Sequence, residues 1–306
     1  MEIFLLLLIK LLPLYLYIVF GYLAGKFLKI RNDFISSFLL YILIPLVIFG
    51  STATTPFTSH TLAIPFLFFL ICCLASLIVY FISGYFWKDA TKNMLAFIAG
   101  TANTGYLGFA LVGSLFGAKE LPIAILAVLG TTLYFNSIGF LLAAKGKHTI
   151  KESIIKLLKL PILYAFVLGL VVNVSNMHLN RIFLQIVNDS NQLYIILGMM
   201  TIGLSLAEIK KYTFDWKFIG ISLGAKFILW PLLMVAILMI DTYLFHIYHT
   251  TNHHVLIVLA LLPVAVNLVP YATYLKESSD KAAVVVMIST FFALFYIPLI
   301  ISLFLH

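Results

Sequence analysis

The sequence carries little charge: 10% of its 306 residues are charged, while 63% are hydrophobic and the mean hydropathy is +1.13. Soluble domains contain about 25% charged and 45–50% apolar residues. The connections between apolar runs are also shorter than the roughly 50 residues that a separate domain needs. These absences exclude a soluble enzyme and predict a helical bundle embedded in a membrane.

Cysteine and familiar catalytic motifs are also scarce. Cys72 and Cys73 are adjacent within an apolar run, where neither geometry nor access to oxidants favours a structural disulfide, so we interpret them as small core residues. The sequence contains no phosphate-binding loop, Walker motif, H-E-x-x-H or G-x-S-x-G. It therefore predicts no ATP-driven pumping, no cofactor and no metal site.

Apolar windows of about 20 residues, bounded by charges and by Gly, Pro, Asn and Ser, predict ten transmembrane segments. These segments are residues 4–25, 34–50, 61–86, 94–116, 121–143, 160–177, 191–207, 217–240, 254–275 and 281–304. The first run continues past Pro13 without an A-x-A-like cleavage site, so we interpret it as an uncleaved helix. The predicted fold class is an all-α polytopic membrane protein.

Lysine and arginine are distributed asymmetrically between the loops. If successive segments alternate in direction, the five odd-to-even loops share one side of the membrane. Fifteen of the nineteen Lys and Arg residues lie there: Lys26, Lys29, Arg31, Lys88, Lys92, Lys145, Lys147, Lys151, Lys156, Lys159, Lys210, Lys211, Lys217, Lys276 and Lys281. Lys10, Lys119 and Arg181 lie on or near the other side, and Lys226 lies within a segment. The positive-inside rule predicts that the basic loops are cytoplasmic and both termini external. Topology and anionic lipids explain the net charge of +8, so nucleic-acid binding is not expected.

The sequence also shows signs of an internal repeat. A basic linker at residues 144–159 separates five segments in residues 1–143 from five in residues 160–306. The matched positions are Pro13 with Pro161, Gly21 with Gly169, Asn103 with Asn267, and Thr131–Thr132 with Ser289–Thr290. An odd number of helices in each half inserts the halves in opposite orientations, which is the inverted-repeat plan of many secondary transporters.

Segments four and nine combine polar residues with helix breakers near mid-membrane depth. These residues are Asn103, Gly105 and Gly108 in segment four, and Pro263, Asn267 and Pro270 in segment nine. Irregular backbone at this depth is tolerated only where protein or a water-filled cavity satisfies its polar groups. The paired interruptions therefore predict a translocation site.

Asn103 and Asn267 are the main candidate substrate-binding residues. An amide offers two donors and an acceptor, and the N-terminus of a half-helix beside it adds partial positive charge. A lone membrane Asn would be explained more simply by helix packing, but two at matched breaks favour a site. The flanking substrate-binding candidates are Thr104, Gly105, Tyr106, Leu268 and Pro270. Pro270 is expected to free the carbonyl of Val266, four residues earlier.

Asn136, Ser289 and Thr290 are accessory candidates, which either line the same cavity or bond their own helix backbone. Lys226 is a further accessory candidate, because it is the only charged residue deep within a segment. It either neutralises an organic anion or bonds carbonyls freed by a broken helix, and the second role is favoured. No Asp or Glu lies at comparable depth, which leaves coupling to protons or sodium ions open.

The predicted external loop between segments eight and nine is rich in histidine. It contains His246, His249, His253 and His254. Such a cluster could bind zinc or sense pH, but a short loop without cysteine or a set of acidic ligands favours a solvated loop.

Seven motifs in order resemble the auxin efflux carrier family, which includes plant auxin carriers and bacterial carriers of malonate, malate or related acids. They are Pro45 in YILIPLVIFG, Asn103 in TANTGYLGFALVGSLFG, LPILYAFVLGL from Leu160, IGLSLA from Ile202, AKFILWPLLM from Ala225, LLPVAVNLVPYATYLKE from Leu261 and ISTFFALFYIPLI from Ile288. The family usually has a proline after the Asn-containing turn of segment four, where this chain has Gly108, Phe109 and Ala110.

The resemblance implies a fold related to the bacterial sodium/bile acid symporters. Segments one, two, six and seven would form a scaffold, and segments three to five and eight to ten a mobile transport domain. The crossed, broken segments four and nine would bind substrate in an elevator-type cycle.

These observations together lead to the hypothesis of a secondary carrier of small organic anions, such as malonate, malate or auxin-like acids, in the plasma membrane, most simply a bacterial inner membrane. Its expected partners are the anion and the lipid bilayer, with homodimerisation through the scaffold helices left open. The alternatives are a sodium-coupled symporter of the bile acid type and, more remotely, an intramembrane enzyme that uses Ser289 and Lys226.

Overall fold

The computed structural model is all-helical over the residues that it describes, with no strand among them. It describes residues 2–54, 61–144, 151, 155, 158–175, 177, 179–209, 213–248, 250–275 and 278–304. Eight helical spans in these ranges are long and apolar enough to cross a membrane. The fold is therefore that of a polytopic helical membrane protein.

The described part of the first half of the chain contains eight α-helices. They are α1 (Glu2–Phe27), α2 (Asn32–Phe38), α3 (Ile44–Thr54), α4 (Ile64–Gly84), α5 (Thr91–Ala99), α6 (Phe109–Phe116), α7 (Leu121–Asn136) and α8 (Ile138–Ala143). A π-helical turn at Leu39–Leu43 joins α2 to α3, and another at Thr104–Gly108 leads into α6. Predicted segments two and four are therefore composite spans, Asn32–Thr54 and Thr91–Phe116.

The described part of the second half contains seven further helices. They are α9 (Pro161–Val174), α10 (Arg181–Ala207), α11 (Trp216–Gly224), α12 (Trp230–Ile240), α13 (Thr250–Ala260), α14 (Leu268–Leu275) and α15 (Ser279–Phe304). π-Helical turns at Ala225–Leu229 and Asp241–Phe245 extend α11 and α12 into one span. Two of the ten predicted segments are not among the eight spans: α9 is an apolar helix of 14 residues, and segment nine is divided between α13 and α14.

Two of the closely packed helix pairs join one helix from each half. α1 packs on α10, where a Cβ added at Gly203 would collide with the carbonyl of Ile18. α3 packs on α9, where a Cβ added at Gly169 would collide with Thr52. Small residues allow such approach between membrane helices and so increase their van der Waals contact.

Polar contacts at helix ends join further pairs of helices. The Asn32 backbone N–H donates to the Glu208 carboxylate (2.9 Å), which ties α2 to the end of α10. Asp215 caps α11 and accepts a hydrogen bond from the Lys281 ammonium at the start of α15 (2.7 Å). That hydrogen bond holds the pKa of Asp215 below its usual value.

Segment four lies in the centre of the molecule. In an apolar 18-residue window of Thr91–Phe116, 94% of the residues are buried by protein, against 28% for the window in Phe4–Phe27. α1 thus presents most of its surface outward, whereas the break in segment four is surrounded by protein. Surrounding protein can satisfy the polar groups of an interrupted helix at this depth.

Candidate functional site

Segment four is interrupted directly before Asn103. α5 ends at Ala99, and the backbone stays irregular through residues 101–103 before the π-helical turn Thr104–Gly108 begins. Asn103 caps that turn: its Oδ1 accepts from the Leu107 N–H (3.5 Å), and its carbonyl accepts from the Gly108 N–H (2.9 Å). A capping asparagine and a π-helical turn therefore make this break, without the proline that the family usually has.

The end of α5 is capped by side chains from other segments. The Trp230 indole N–H donates to the carbonyl of Ala99 (2.6 Å). Tyr134 donates to Ser76 Oγ (2.9 Å) and approaches the Ala96 carbonyl (3.4 Å). Because Trp230 is fully buried, its hydrogen bond replaces the water that would otherwise satisfy the last carbonyl of the helix.

Segment nine is interrupted over a longer stretch. α13 ends at Ala260, residues 261–267 are irregular or turn, and α14 begins at Leu268. The Val264 N–H in this stretch donates to Ser289 Oγ of α15 (3.3 Å). The Pro263 carbonyl accepts from the Asn103 N–H (2.9 Å). The two breaks are therefore joined directly, backbone to backbone.

A cavity of about 240 Å³ lies beside this junction. It brings together six of the predicted site residues: Asn103, Thr104, Gly105, Tyr106, Asn136 and Asn267. Within the part of the chain that the structure describes, none of the side chains lining it is charged. The cavity is therefore neutral and offers amide, hydroxyl and backbone groups to a ligand.

The two asparagines differ in exposure. Asn103 is buried, with 3% of its surface exposed, and among the described residues its Nδ2 has no hydrogen-bond partner. Asn267 lines the same cavity but is exposed. A buried amide nitrogen without a partner is unusual in a folded protein and marks a position where a ligand or water completes the structure.

The cavity also contains polar residues that we did not predict as site residues. They are Ser36, Thr101, Thr131, Thr132, Tyr194 and Tyr271. Tyr194 of α10 packs edge-on against Phe109 (ring centroids 5.4 Å apart) and lies 5.9 Å from the ring of Tyr106. Threonine and tyrosine are common in apolar helices, so only the repeat match of Thr131–Thr132 with Ser289–Thr290 hinted at any of these positions.

Several predicted site residues lie elsewhere. Leu268 is fully buried and does not line the cavity. Ser289 supports the second break through Val264, and the Thr290 carbonyl accepts from the Tyr15 hydroxyl of α1 (2.9 Å). The side chain of Pro270 falls outside the described residues.

The expectation that Pro270 frees the Val266 carbonyl is wrong, because that carbonyl accepts from the Val269 N–H (3.2 Å). Pro270 lies in the first turn of α14, where no intrahelical hydrogen bond would be lost.

Lys226 performs neither of its two predicted roles in this structure. It is fully buried in the turn Ala225–Leu229, does not line the cavity, and its Nζ has no hydrogen-bond partner among the described residues. Its Nζ lies 3.3 Å from the centroid of the Trp230 ring, so the indole face is its polar contact. The predicted enzymatic pair is also absent, because Lys226 does not bond Ser289, whose hydroxyl donates to Val286.

The histidine-rich loop is organised around Asp241. This buried carboxylate accepts from the backbone N–H groups of Ile247 (2.9 Å) and Tyr248 (3.0 Å), and His253 Nε2 lies 3.4 Å away. Burial and the nearby Asp241 carboxylate raise the pKa of Tyr248 to about 12. His249 lies outside the described residues, and within them no three His, Cys, Asp or Glu side chains are placed to hold a metal ion.

The match to a known protein family covers both breaks. A family model described as membrane transport protein matches residues 6–301. An uncharacterized transporter of Methanocaldococcus jannaschii is 27% identical over 230 residues, which cover 72% of this chain and 73% of the relative. An uncharacterized transporter of Methanothermobacter thermautotrophicus is 33% identical over 100 residues, which cover 29% of this chain and 32% of the relative.

Proposed function

The chain belongs to the membrane transport protein family of the auxin efflux carriers, and from that premise we propose that it is a secondary carrier of small organic anions. It is an integral membrane transporter, and its family consists of transporters and not of enzymes. The observation that carries the proposal is the neutral cavity beside two broken segments that hydrogen-bond to each other. Paired breaks of this kind are the usual substrate sites of secondary transporters.

The proposed architecture is a five-plus-five inverted repeat of ten segments. Eight spans, the shorter α9 and the divided segment nine supply ten crossings. The two breaks then occupy matched positions, with Asn103 before the second half-helix of segment four and Asn267 before α14. In this topology the basic loops are cytoplasmic and both termini are external.

The proposed mechanism is an elevator-type alternation. Segments one, two, six and seven (α1, α2, α3, α9 and α10) would form the scaffold, with homodimerisation through its outward faces. Segments three to five and eight to ten (α4 to α8 and α11 to α15) would form the transport domain. Ile44 and Tyr194 of the scaffold and Asn103 and Asn267 of the transport domain all line the cavity, so the ligand site lies between the two groups. Sliding of one group against the other would expose that site to each side in turn.

A carboxylate would be recognised without a cationic side chain. The donors are Asn103 Nδ2, which has no partner among the described residues, the exposed Asn267 amide and the first N–H groups of the half-helix after Asn103. The half-helix dipole adds partial positive charge at the same place. Lys226 takes no part in this recognition, because it does not line the cavity.

Sodium-coupled symport is the second candidate. Three neutral oxygens lie close together at the cavity wall: Thr104 Oγ1 is 2.8 Å from Thr131 Oγ1, which is 3.1 Å from the Val128 carbonyl. Neutral oxygens of this kind can coordinate a small hard cation. Uptake measured in sodium, potassium and N-methylglucamine buffers separates the two candidates.

The experiment is uptake of labelled malonate, malate, lactate and an indole carboxylate into proteoliposomes, with and without a sodium or pH gradient. Asn103→Ala and Asn267→Ala are each expected to lower uptake of the transported acid at least about tenfold, as when several hydrogen bonds to a charged group are lost. Asn252→Ala, outside the cavity, is the matched control. Full transport in both folded cavity variants would show that the site lies elsewhere.

A further inference from the structure

The cavity contains an asparagine whose orientation is determined by its neighbours. Asn136, at the end of α7, donates from Nδ2 to the Thr132 carbonyl (2.9 Å). A carbonyl can only accept, so the amide nitrogen must face it and Oδ1 must face the other way. Oδ1 lies 2.7 Å from the Tyr271 hydroxyl. Asn136 is therefore an acceptor toward Tyr271.

This orientation determines which group the Tyr271 hydroxyl donates its hydrogen to. A phenol has one O–H, and Tyr271 must donate it to Asn136 Oδ1. The ring is held in place by Phe135, edge-on with centroids 4.7 Å apart, and by Phe140 at 6.0 Å. Tyr271 lines the cavity, and because its only hydrogen goes to Asn136, its oxygen can only accept a hydrogen bond from a ligand.

The Asn103 end of the cavity offers a donor instead. Asn103 Nδ2 is buried and has no hydrogen-bond partner among the described residues. The Thr104 and Thr131 hydroxyls beside it hydrogen-bond each other (2.8 Å), and either can be the donor. The lining therefore combines a donor at Asn103 with an acceptor at Tyr271.

We propose that Tyr271, oriented by Asn136, makes this carrier selective for organic acids that also bear a hydrogen-bond donor, an O–H or N–H group, apart from the carboxylate. The inference rests on the proposed carboxylate transport and specifies its substrates. An acid without such a donor would leave the Tyr271 oxygen without the partner that water gives it in the empty cavity. Sites built to hydrogen-bond a hydroxyl or N–H discriminate against analogues that lack it.

The dimensions of the cavity are consistent with a short acid. Thr131 contacts Thr104 near the Asn103 end, and Asn136 lies five residues further along α7, about 7.5 Å at the helical rise. The volume of about 240 Å³ is below the range of roughly 300–1,000 Å³ that is typical of drug-sized ligands. A carboxylate and a donor separated by a few carbon atoms would therefore reach both Asn103 and Tyr271.

The test compares matched acids in proteoliposomes containing the full chain. The sets are glycolate, acetate and methoxyacetate; lactate, propionate and 2-methoxypropionate; malate, succinate and methoxysuccinate; and indole-3-acetate with its N-methyl derivative. Methylation keeps the heteroatom but replaces its hydrogen with a methyl group, and acetate, propionate and succinate lack the donor without that added bulk. We expect the donor-bearing acid of the transported set to be taken up about threefold to tenfold faster than its analogues, as for one neutral hydrogen bond.

Two variants assign the preference to this pair of residues. Tyr271→Phe is expected to bring the ratio of donor-bearing to methylated acid close to one, while Tyr164→Phe, a partly exposed tyrosine outside the cavity, keeps the wild-type ratio. Asn136→Leu frees the Tyr271 hydrogen, so the methylated acid should gain relative to the hydroxy acid. This second variant tests the same hydrogen bond without altering Tyr271.

Each outcome decides the inference. Equal wild-type uptake of the donor-bearing acids and their analogues, or an unchanged ratio in Tyr271→Phe and Asn136→Leu, would overturn it and leave carboxylate transport standing. Transport of malonate alone would overturn the inference and leave the proposed function standing, whereas transport of neither malonate nor any of these acids would overturn both. A wild-type preference that both variants lose would support it.

Discussion

The break in segment four and the break in segment nine solve the same physical problem in different ways. In segment four, a buried asparagine caps the following turn and a tryptophan from another segment caps the preceding helix. In segment nine, the irregular stretch is longer, it contains Pro263, and its asparagine is exposed to the cavity. The comparison indicates a structural role for Asn103 in addition to its proposed role in binding, whereas Asn267 would serve the proposed binding alone.

The largest expected effect on stability is at the end of α5. Trp230→Phe keeps an aromatic face for Lys226 but removes the N–H that satisfies the Ala99 carbonyl. An unsatisfied buried carbonyl costs about 1–3 kcal/mol, which should appear as a lower thermal unfolding midpoint in detergent. Trp216→Phe, at an exposed tryptophan, is the control and should change the midpoint little. Equal midpoints for both variants would show that the hydrogen bond does not stabilise the break.

The second largest effect on stability is expected at Asn103, and it distinguishes Asn103 from Asn267. Asn103→Ala removes the cap of the turn Thr104–Gly108 and should destabilise the protein by about 1 kcal/mol, in addition to impairing transport. Its thermal unfolding midpoint should therefore lie below that of Asn267→Ala. If the two variants unfold at the same temperature, the structural role of Asn103 is wrong.

A smaller effect is expected where α15 supports segment nine. Ser289→Ala removes the hydroxyl that accepts from the Val264 N–H at 3.3 Å, a long hydrogen bond, so we expect a loss of about 0.5–1 kcal/mol. Ser302→Ala is the matched control, since the Ser302 hydroxyl bonds only a carbonyl of its own helix, that of Leu299. If Ser289→Ala lost more stability than Trp230→Phe, the contact at segment nine would stabilise the protein more than the contact at the end of α5, contrary to the expected order.

The smallest effect on stability is expected at Asn267. Asn267→Ala removes an exposed amide that lines the cavity and makes none of the hydrogen bonds that join the breaks, so the unfolding midpoint should stay within the error of measurement. Uptake should nevertheless fall, as stated for the proposed function. A marked loss of stability would contradict the division of roles between the two asparagines.

Hydropathy and charge were sufficient to predict an all-helical membrane protein, and seven motifs in order were sufficient to predict its family. Both results are confirmed by the helical spans and by the family match. Membrane spans and their breaks can be predicted because each depends on the local sequence. A membrane span needs a long apolar run, and a break needs polar or helix-breaking residues.

The lining of the cavity depends on how distant segments meet, and it was largely missed. Tyr194 and Tyr271 are ordinary residues in apolar helices, and only the crossing of α10 and α14 with segment four places them at the site. The contact between Lys226 and Trp230 was missed although the sequence could have indicated it, because Trp230 is four residues later and on the same helix face. The prediction for Val266 failed because it assumed a helix that runs unbroken into Pro270.

The neutral lining of the cavity has an electrical consequence. In the proposed cycle without ion coupling, the loaded carrier moves the whole negative charge of its ligand through the membrane, and the empty carrier returns with no charged side chain in the cavity. Each elementary charge gains or loses about 2.3 kcal/mol per 100 mV of membrane potential. In the proposed cycle, an inside-negative membrane potential would therefore favour efflux of the anion, and a carrier with these properties would be electrogenic.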